Sequence, residues 1–492
     1  MTADGSNGSN GQAGKIETRL FINGQFVESS DKKTFKLLSP STREQVAEVY
    51  EATVDDTNAA VAAAKAAQPA WAALSPDERA KPMKKLAELL RESTEQMAYL
   101  EAISMGRPLA AFFDSFACAS HFEHFAGLGW DVQGTTSLNT PGMLSMTFRQ
   151  PYGVAAAIIP WNGPAIFFGL KTAPMVAAGN AVVVKSSEKA PLTSAFIATL
   201  IDKAGFPPGV INVIHGHGQT SGATLSSHMD VRVLSFTGSG RTGRLITEAA
   251  AKSNLKNVLL ELGGKSPSLI FEDADLERAA RETQNSVTFN TGQVCMANSR
   301  IYVQDTVADA FIAQFKELMG GVKIGASTVD GTEMGPLADE IQYNTVNKYI
   351  QLGKEAGGKL ILGDGEAHPD AGKGYFVAPH IFTDLPEDAR PLKEEIFGPV
   401  VSIGVFKSEE EVLRKANDTE YGLYASVYTK DISRAIRIAK GLESGTVGVN
   451  CTSPTVVADM PFGGYKASGV GREGPKHSLN NYLEEKTVLI KL

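Results

Sequence analysis

Between residues 153 and 263 the chain carries five short apolar runs, at 154–159, 181–184, 210–214, 231–236 and 258–262. Helical patterns, for example 192–204 and 241–253, separate them. A strand with one wetted face alternates apolar and polar residues, whereas a continuous Val/Ile/Leu run is covered on both faces. Runs of this kind alternating with helices predict a parallel sheet between helical layers. The alternation restarts after Gly263-Gly264 with runs at 268–271 and 299–303, so a second α/β unit is predicted to begin near residue 264. No internal repeat at a solenoid period accompanies it.

Residues 1–14 are rich in Gly, Ser and Asn, without a basic flank or apolar stretch, and are read as a disordered tail and not a secretory signal. Leu20 to Val27 reads as a hairpin, because Asn23-Gly24 suits a type I′ turn. Helical spacing covers 55–71, 76–105 and roughly 108–130. Leu144, Met146 and Phe148 alternate with Ser145, Thr147 and Arg149, a strand with one apolar face. The last residues, 486–492, read as a lone strand that must pair elsewhere in the fold or with another subunit. At 492 residues, about three domains are expected. A net charge of −8 argues against a nucleic-acid partner. No apolar run reaches the ~18 residues of a membrane span. Three cysteines, Cys118, Cys295 and Cys451, suit a reduced, cytoplasmic protein.

Two glycine-rich stretches invite a dinucleotide reading. Gly216-His-Gly218-Gln-Thr-Ser-Gly222 has one residue too many before its last glycine. Gly238-Ser-Gly240-Arg-Thr-Gly243 fits GxGxxG between a strand and a helix, where a helix N-terminus can hold a pyrophosphate, although a tight turn explains it equally. On the motif alone, Glu261 would be the acidic residue that binds a ribose hydroxyl. Cys295 lies in the polar, irregular stretch 289–300. Cys118 and Cys451 read as inert packing residues. His121 and His124, at i and i+3 on a helix, lack further ligands, and no metal is expected.

Seven motifs occur in one order: Ile159-Pro-Trp-Asn-Gly-Pro164, Lys185-Ser-Ser-Glu188, Phe236-Thr-Gly-Ser239, Leu260-Glu-Leu-Gly-Gly-Lys265, Gly292-Gln-Val-Cys295, Glu394-Glu-Ile-Phe-Gly-Pro399 and Pro461-Phe-Gly-Gly-Tyr-Lys466. With them the chain, from about Leu20 to Leu492, resembles the aldehyde dehydrogenase superfamily. The resemblance implies NAD-dependent oxidation of an aldehyde to a carboxylic acid through a cysteine thiohemiacetal and thioester. It implies Cys295 as nucleophile and Asn162 as oxyanion donor. Glu261 becomes the base that activates water, not a ribose ligand, and Lys171 and Glu473 pass its proton onward. Trp161, Lys185, Glu188, Gly238, Ser239, Glu395 and Phe397 would hold the cofactor, with Glu188 favouring NAD over NADP. Gly163, Phe167, Leu170, Val294 and Met296 would line or adjoin the substrate tunnel.

The implied architecture is a Rossmann-like parallel-sheet cofactor domain (15–130 and 152–263) and an α/β catalytic domain (264–465). A β-ribbon oligomerisation arm (131–151 and 466–492) completes it, in a homodimer or homotetramer. Gly163 and Gly448 stand where many members carry aromatic residues, which implies room for a bulky aldehyde, branched or aromatic, unless Phe167, Phe168 or Met296 refills it. A CoA-acylating dehydrogenase is the alternative enzyme, against which Glu261 argues. A non-catalytic structural protein of the same fold is the alternative non-enzyme, against which Cys295, Asn162 and Glu261 together argue.

Overall fold

The computed structural model describes residues 16–363, 373–457 and 459–492. The tail at 1–14 lies outside them. The first sheet runs Gly469–Val470, Asn257–Glu261, Val231–Thr237, Val154–Ile158, Ala181–Lys185, Ile211–Ile214, Leu20–Ile22 and Gln25–Val27 from edge to edge. Its five central strands are parallel, and the three outer ones are antiparallel to their neighbours. The apolar runs divide their residues between two cores. Ala155, Ala157, Val182, Val184 and Val213 pack with Trp71, Phe122, Phe125 and Phe168 on one face. Val154, Ala156, Ile158, Ala181, Val183 and Ile214 pack with Val61, Leu225 and Ile246 on the other. This two-sided burial explains the missing polar alternation.

The second sheet runs Lys359–Leu362, His380–Thr383, Val400–Phe406, Arg300–Gln304, Pro267–Ile270, Tyr424–Tyr428 and Thr446–Val449, parallel except at its first strand. The hairpin at 20–27 forms about Asn23 and Gly24, both at positive φ as a type I′ turn requires. Among the described residues, no helix is long and apolar enough to cross a membrane.

Several elements differ from their sequence reading. The stretch 76–105 is two helices, Pro76–Glu92 and Thr94–Met105, because Ser93 leaves the helical basin at φ −101° and ψ 15°. The aromatic helix is Asp114–Leu128; Pro108 and an extended Phe112 keep the preceding residues out of it. The terminal strand finds its partner in its own chain. Leu483–Lys491 pairs antiparallel with Met143–Pro151 over nine residue pairs, and Thr136–Ser137 adds a third strand. The range 466–492 therefore divides. Gly469–Val470 joins the first sheet, helix Pro475–Asn481 follows, and the ribbon takes the remainder.

Candidate active site

In the first sheet the chain runs outward from Val154–Ile158 through Ala181–Lys185 and Ile211–Ile214, then returns to lay Val231–Thr237 on the opposite side. A crevice opens at such a reversal, beyond the carboxyl ends of the strands. Seven of the singled-out residues lie at or just beyond those ends. Trp161 and Asn162 come after Ile158, Lys185 and Glu188 after Val184, Gly238 and Ser239 after Thr237, and Glu261 ends its own strand.

Two loops of the second unit close on this edge, and paired glycines allow it. A Cβ on Gly263 would stand 2.3 Å from Glu395 Oε2, and one on Gly264 would stand 2.3 Å from the carbonyl oxygen of Cys295. Gly264 excludes a side chain, because the atom it would meet is backbone, and a side chain at Gly263 would displace the Glu395 carboxyl. Glu395 Oε1 accepts the Gly264 N–H at 3.0 Å, so this carboxyl leaves the charge run of 393–395 and lies half-buried against the site. Burial pushes it up to about 7. Phe397, at φ +60°, brings its ring to 5.4 Å from Trp161, and Gln342 holds the Phe397 carbonyl at 2.7 Å. The backbone ahead of Cys295 is also forced: Asn290 and Thr291 sit at φ +51° and +59°. For a β-branched residue this is a strained conformation, held here by Thr291 Oγ1 donating to the Gly335 carbonyl at 2.9 Å.

The half-buried thiol of Cys295 donates to Glu261 Oε1 at 3.4 Å. Burial pushes the thiol up, and the carboxylates of Glu261 and Glu395 push the same way. Glu261 is 3 % exposed, and its other oxygen has no hydrogen-bond partner. Its carboxyl is raised to about 7 by burial and by the charge of Glu473, against the opposing pull of Lys171. Behind it, Lys171 Nζ donates to Glu473 Oε1 at 2.8 Å and to Ser235 Oγ at 2.9 Å. A cavity of about 10 Å³, room for about one water, is bordered by Glu261 and Glu473. Asn162 Nδ2 donates to the Gln293 carbonyl at 3.1 Å, two residues before Cys295. Of the sequence-predicted residues, Cys295 thus meets Glu261, Lys171 meets Glu473, one cavity borders Glu261 and Glu473, and Asn162 meets the backbone two residues ahead of Cys295.

The candidate cofactor residues lie along the same edge. Lys185 Nζ stands 4.0 Å from Glu188 and donates to the Ser186 carbonyl at 2.8 Å, and burial pulls the lysine down. Ser239 caps helix Gly240–Lys252 by accepting the Thr242 N–H, in the strand–turn–helix setting that GxGxxG requires. Gly243 lies against Leu262, where a Cβ would meet Cδ2 at 2.9 Å. A paired cation and carboxylate, a capped helix N-terminus and an aromatic pair fit a dinucleotide.

Phe167, Leu170, Val294 and Met296 are all half-buried. A Cβ on Gly163 would make ordinary contact with the Phe167 ring at 3.5 Å, so the position accepts a side chain. Gly448 does not open the tunnel. A Cβ there would meet the Cys451 carbonyl at 2.3 Å and the Tyr424 hydroxyl at 3.0 Å, so strand packing demands the glycine. Phe168 is buried in the first core and is not free to swing inward. Sequence reasoning missed Ser235, a polar residue inside an apolar run that accepts from Lys171.

Comparison with known proteins gives consistent results. The pattern of the Aldehyde dehydrogenase family matches residues 26–488. An aldehyde dehydrogenase from Davidiella tassiana is 43% identical over 98% of this chain and 97% of its own. Aldehyde dehydrogenase 1A1 from Equus caballus is 41% identical over 96% of this chain and 95% of its own. An indole-3-acetaldehyde dehydrogenase from P. syringae, solved with NAD+ and IAA, superposes with a TM-score of 0.94. It shares 38% identity and covers 98% of both chains.

Proposed function

The chain belongs to the aldehyde dehydrogenase family and is an NAD-dependent aldehyde dehydrogenase, and from that premise we propose how its residues carry the reaction. Cys295 is the nucleophile, and the contact of its thiol with Glu261 is the observation that carries this reading. Glu261 takes the thiol proton and releases it by way of Lys171 and Glu473 before the hydrolytic step, and Cys295 adds to the aldehyde carbon. One N–H of the Asn162 amide is committed to Gln293; the other is left for the oxygen of the adduct. When bound, NAD supplies the acceptor for the hydride. Cys295 holds the acyl group as a thioester once the hydride has left, and Glu261 activates the water that releases it. Lys171, Glu473 and the water-sized cavity give that proton a route away.

Lys185 and Glu188 hold the adenosine ribose, Ser239 and Gly238 the pyrophosphate, and Glu395, Phe397 and Trp161 the nicotinamide end. A 2′-phosphate beside the Glu188 carboxylate would cost about 1–4 kcal/mol, depending on local screening. Catalytic efficiency with NADP is therefore expected to fall roughly 10- to 10³-fold below that with NAD. Glu188→Gln should narrow the gap. Parallel kinetics with the two cofactors checks this, and equal efficiencies would overturn the role given to Glu188.

The substrate is a bulky aldehyde, branched or aromatic. Since Tyr424 fills the space at Gly448, this reading stands on Gly163 alone, with Phe167 as the adjoining wall. Gly163→Phe should lower efficiency for aromatic and branched aldehydes about 10- to 10²-fold while sparing propanal. A uniform loss across an aldehyde series would mean that Gly163 serves the backbone beside Asn162.

The protein is a homodimer or homotetramer joined through the 143–151 ribbon and the terminal strand. Phe148 is 46% exposed and Leu489 64%, which supports a partner surface there. Its three cysteines are free, which supports a cytoplasmic location.

A further inference from the structure

The backbone carbonyl of Asn162 accepts two side-chain donors, Arg107 Nη2 at 2.5 Å and Asn290 Nδ2 at 3.1 Å. Arg107 follows helix Thr94–Met105, which Gly106 ends at φ +88°. Its side chain is 2% exposed and also stands 3.4 Å from Glu101 Oε2 and against Asp114, both carboxyls being fully buried. Glu101 Oε1 in turn accepts the Ala165 N–H at 3.4 Å. Ala165 lies in the first turn of helix Pro164–Ala177, whose N-cap is Gly163 and offers no side chain. One buried ionic cluster thus grips the loop at both ends, the carbonyl of Asn162 and the N–H of Ala165.

Such a cluster is a poor way to fill space. Apolar side chains of equal volume often stabilise a fold as well as a buried ion pair or better. What apolar packing cannot do is donate to a carbonyl. Two convergent donors fix the peptide plane that follows Asn162, and with it the direction in which the residue presents its side chain.

We propose that Arg107, assisted by Asn290, is a positioning residue that aims the Asn162 amide at the reacting oxygen; this rests on the oxyanion role given to Asn162. Small displacements of catalytic donors cost on the order of 10²-fold in rate. Arg107→Lys keeps a positive charge between Glu101 and Asp114. A single ammonium lacks the planar fork that serves both carboxyls and the Asn162 carbonyl. The expected result is a folded enzyme with NAD KM within about twofold of wild type and kcat lowered about 10-fold or more.

The same substitution placed in Asn162→Ala should cost less than about twofold, because the donor it aims has gone. Asn290→Gly suits the positive φ at that position and removes the second donor. It provides the test if Arg107→Lys does not fold, with an expected kcat loss of about three- to tenfold that also vanishes beside Asn162→Ala. Wild-type kcat in a folded Arg107→Lys, or in Asn290→Gly where Arg107→Lys does not fold, would overturn the inference. So would losses that multiply with that of Asn162→Ala, while leaving the oxyanion reading intact. Undiminished turnover in Asn162→Ala would instead overturn the oxyanion reading, and this inference with it.

Discussion

Replacing Cys295 with alanine is expected to lower NADH production by about 10⁵-fold or more while leaving NAD binding intact. Losses of this order follow removal of the attacking group in other covalent enzymes. No substitute is at hand. Cys118 is fully buried in a helix, and Cys451 lies beside Tyr424 and Glu282. Alanine fits the loop without strain, since the forced backbone lies at Asn290 and Thr291 and not at Cys295. The measurement is NADH absorbance under saturating aldehyde, paired with a titration of NAD binding. Turnover near the wild-type rate in a purified variant would end the covalent reading.

Glu261→Gln is expected to stop the reaction halfway. Gln keeps the volume and an acceptor for the thiol, but it cannot take a proton from water. General-base contributions are typically about 10²–10⁴-fold, and here the loss falls most heavily on thioester hydrolysis, because water is a far weaker acid than the thiol and depends more on a base. The first turnover should therefore appear as a burst of NADH of one equivalent per site, followed by slow release. The pH profile supplies a second signature. The base must be ionised, and its carboxyl is raised to about 7 by burial and by Glu473. Wild-type steady-state turnover should accordingly fall as pH drops through 7, and the variant should lose that limb. A variant that hydrolyses thioester normally but binds NAD weakly would restore the ribose-binding alternative.

The sequence already carried the first sheet, because residues buried on both faces leave a local signature that needs no tertiary information. The group about Cys295 was legible only through the ordered motifs; spacing alone had offered Glu261 to a ribose. What stayed hidden depends on groups far apart in the chain. Nothing near Arg107 announces that it reaches the carbonyl of Asn162. Ser235 was the exception, since a lone hydroxyl in an apolar strand is a visible cost that asks for a partner.

Lys171 and Glu473 are 302 residues apart in sequence, and Gly469–Val470 is laid on the first sheet from near the end of the chain. At translation rates of about 5–20 residues per second, roughly 15–60 s separate the emergence of the two partners. Throughout that interval a lysine destined for full burial lacks its counter-charge, and from its own synthesis onward the Asn257–Glu261 strand presents an open edge. A nascent chain in this state is exposed to edge-to-edge association and to chaperones that bind such edges. Synthesis of the last segment therefore acts as a checkpoint: chains released before residue 469 would carry the cysteine, its base and the cofactor loops, and still be unable to close the sheet that holds them.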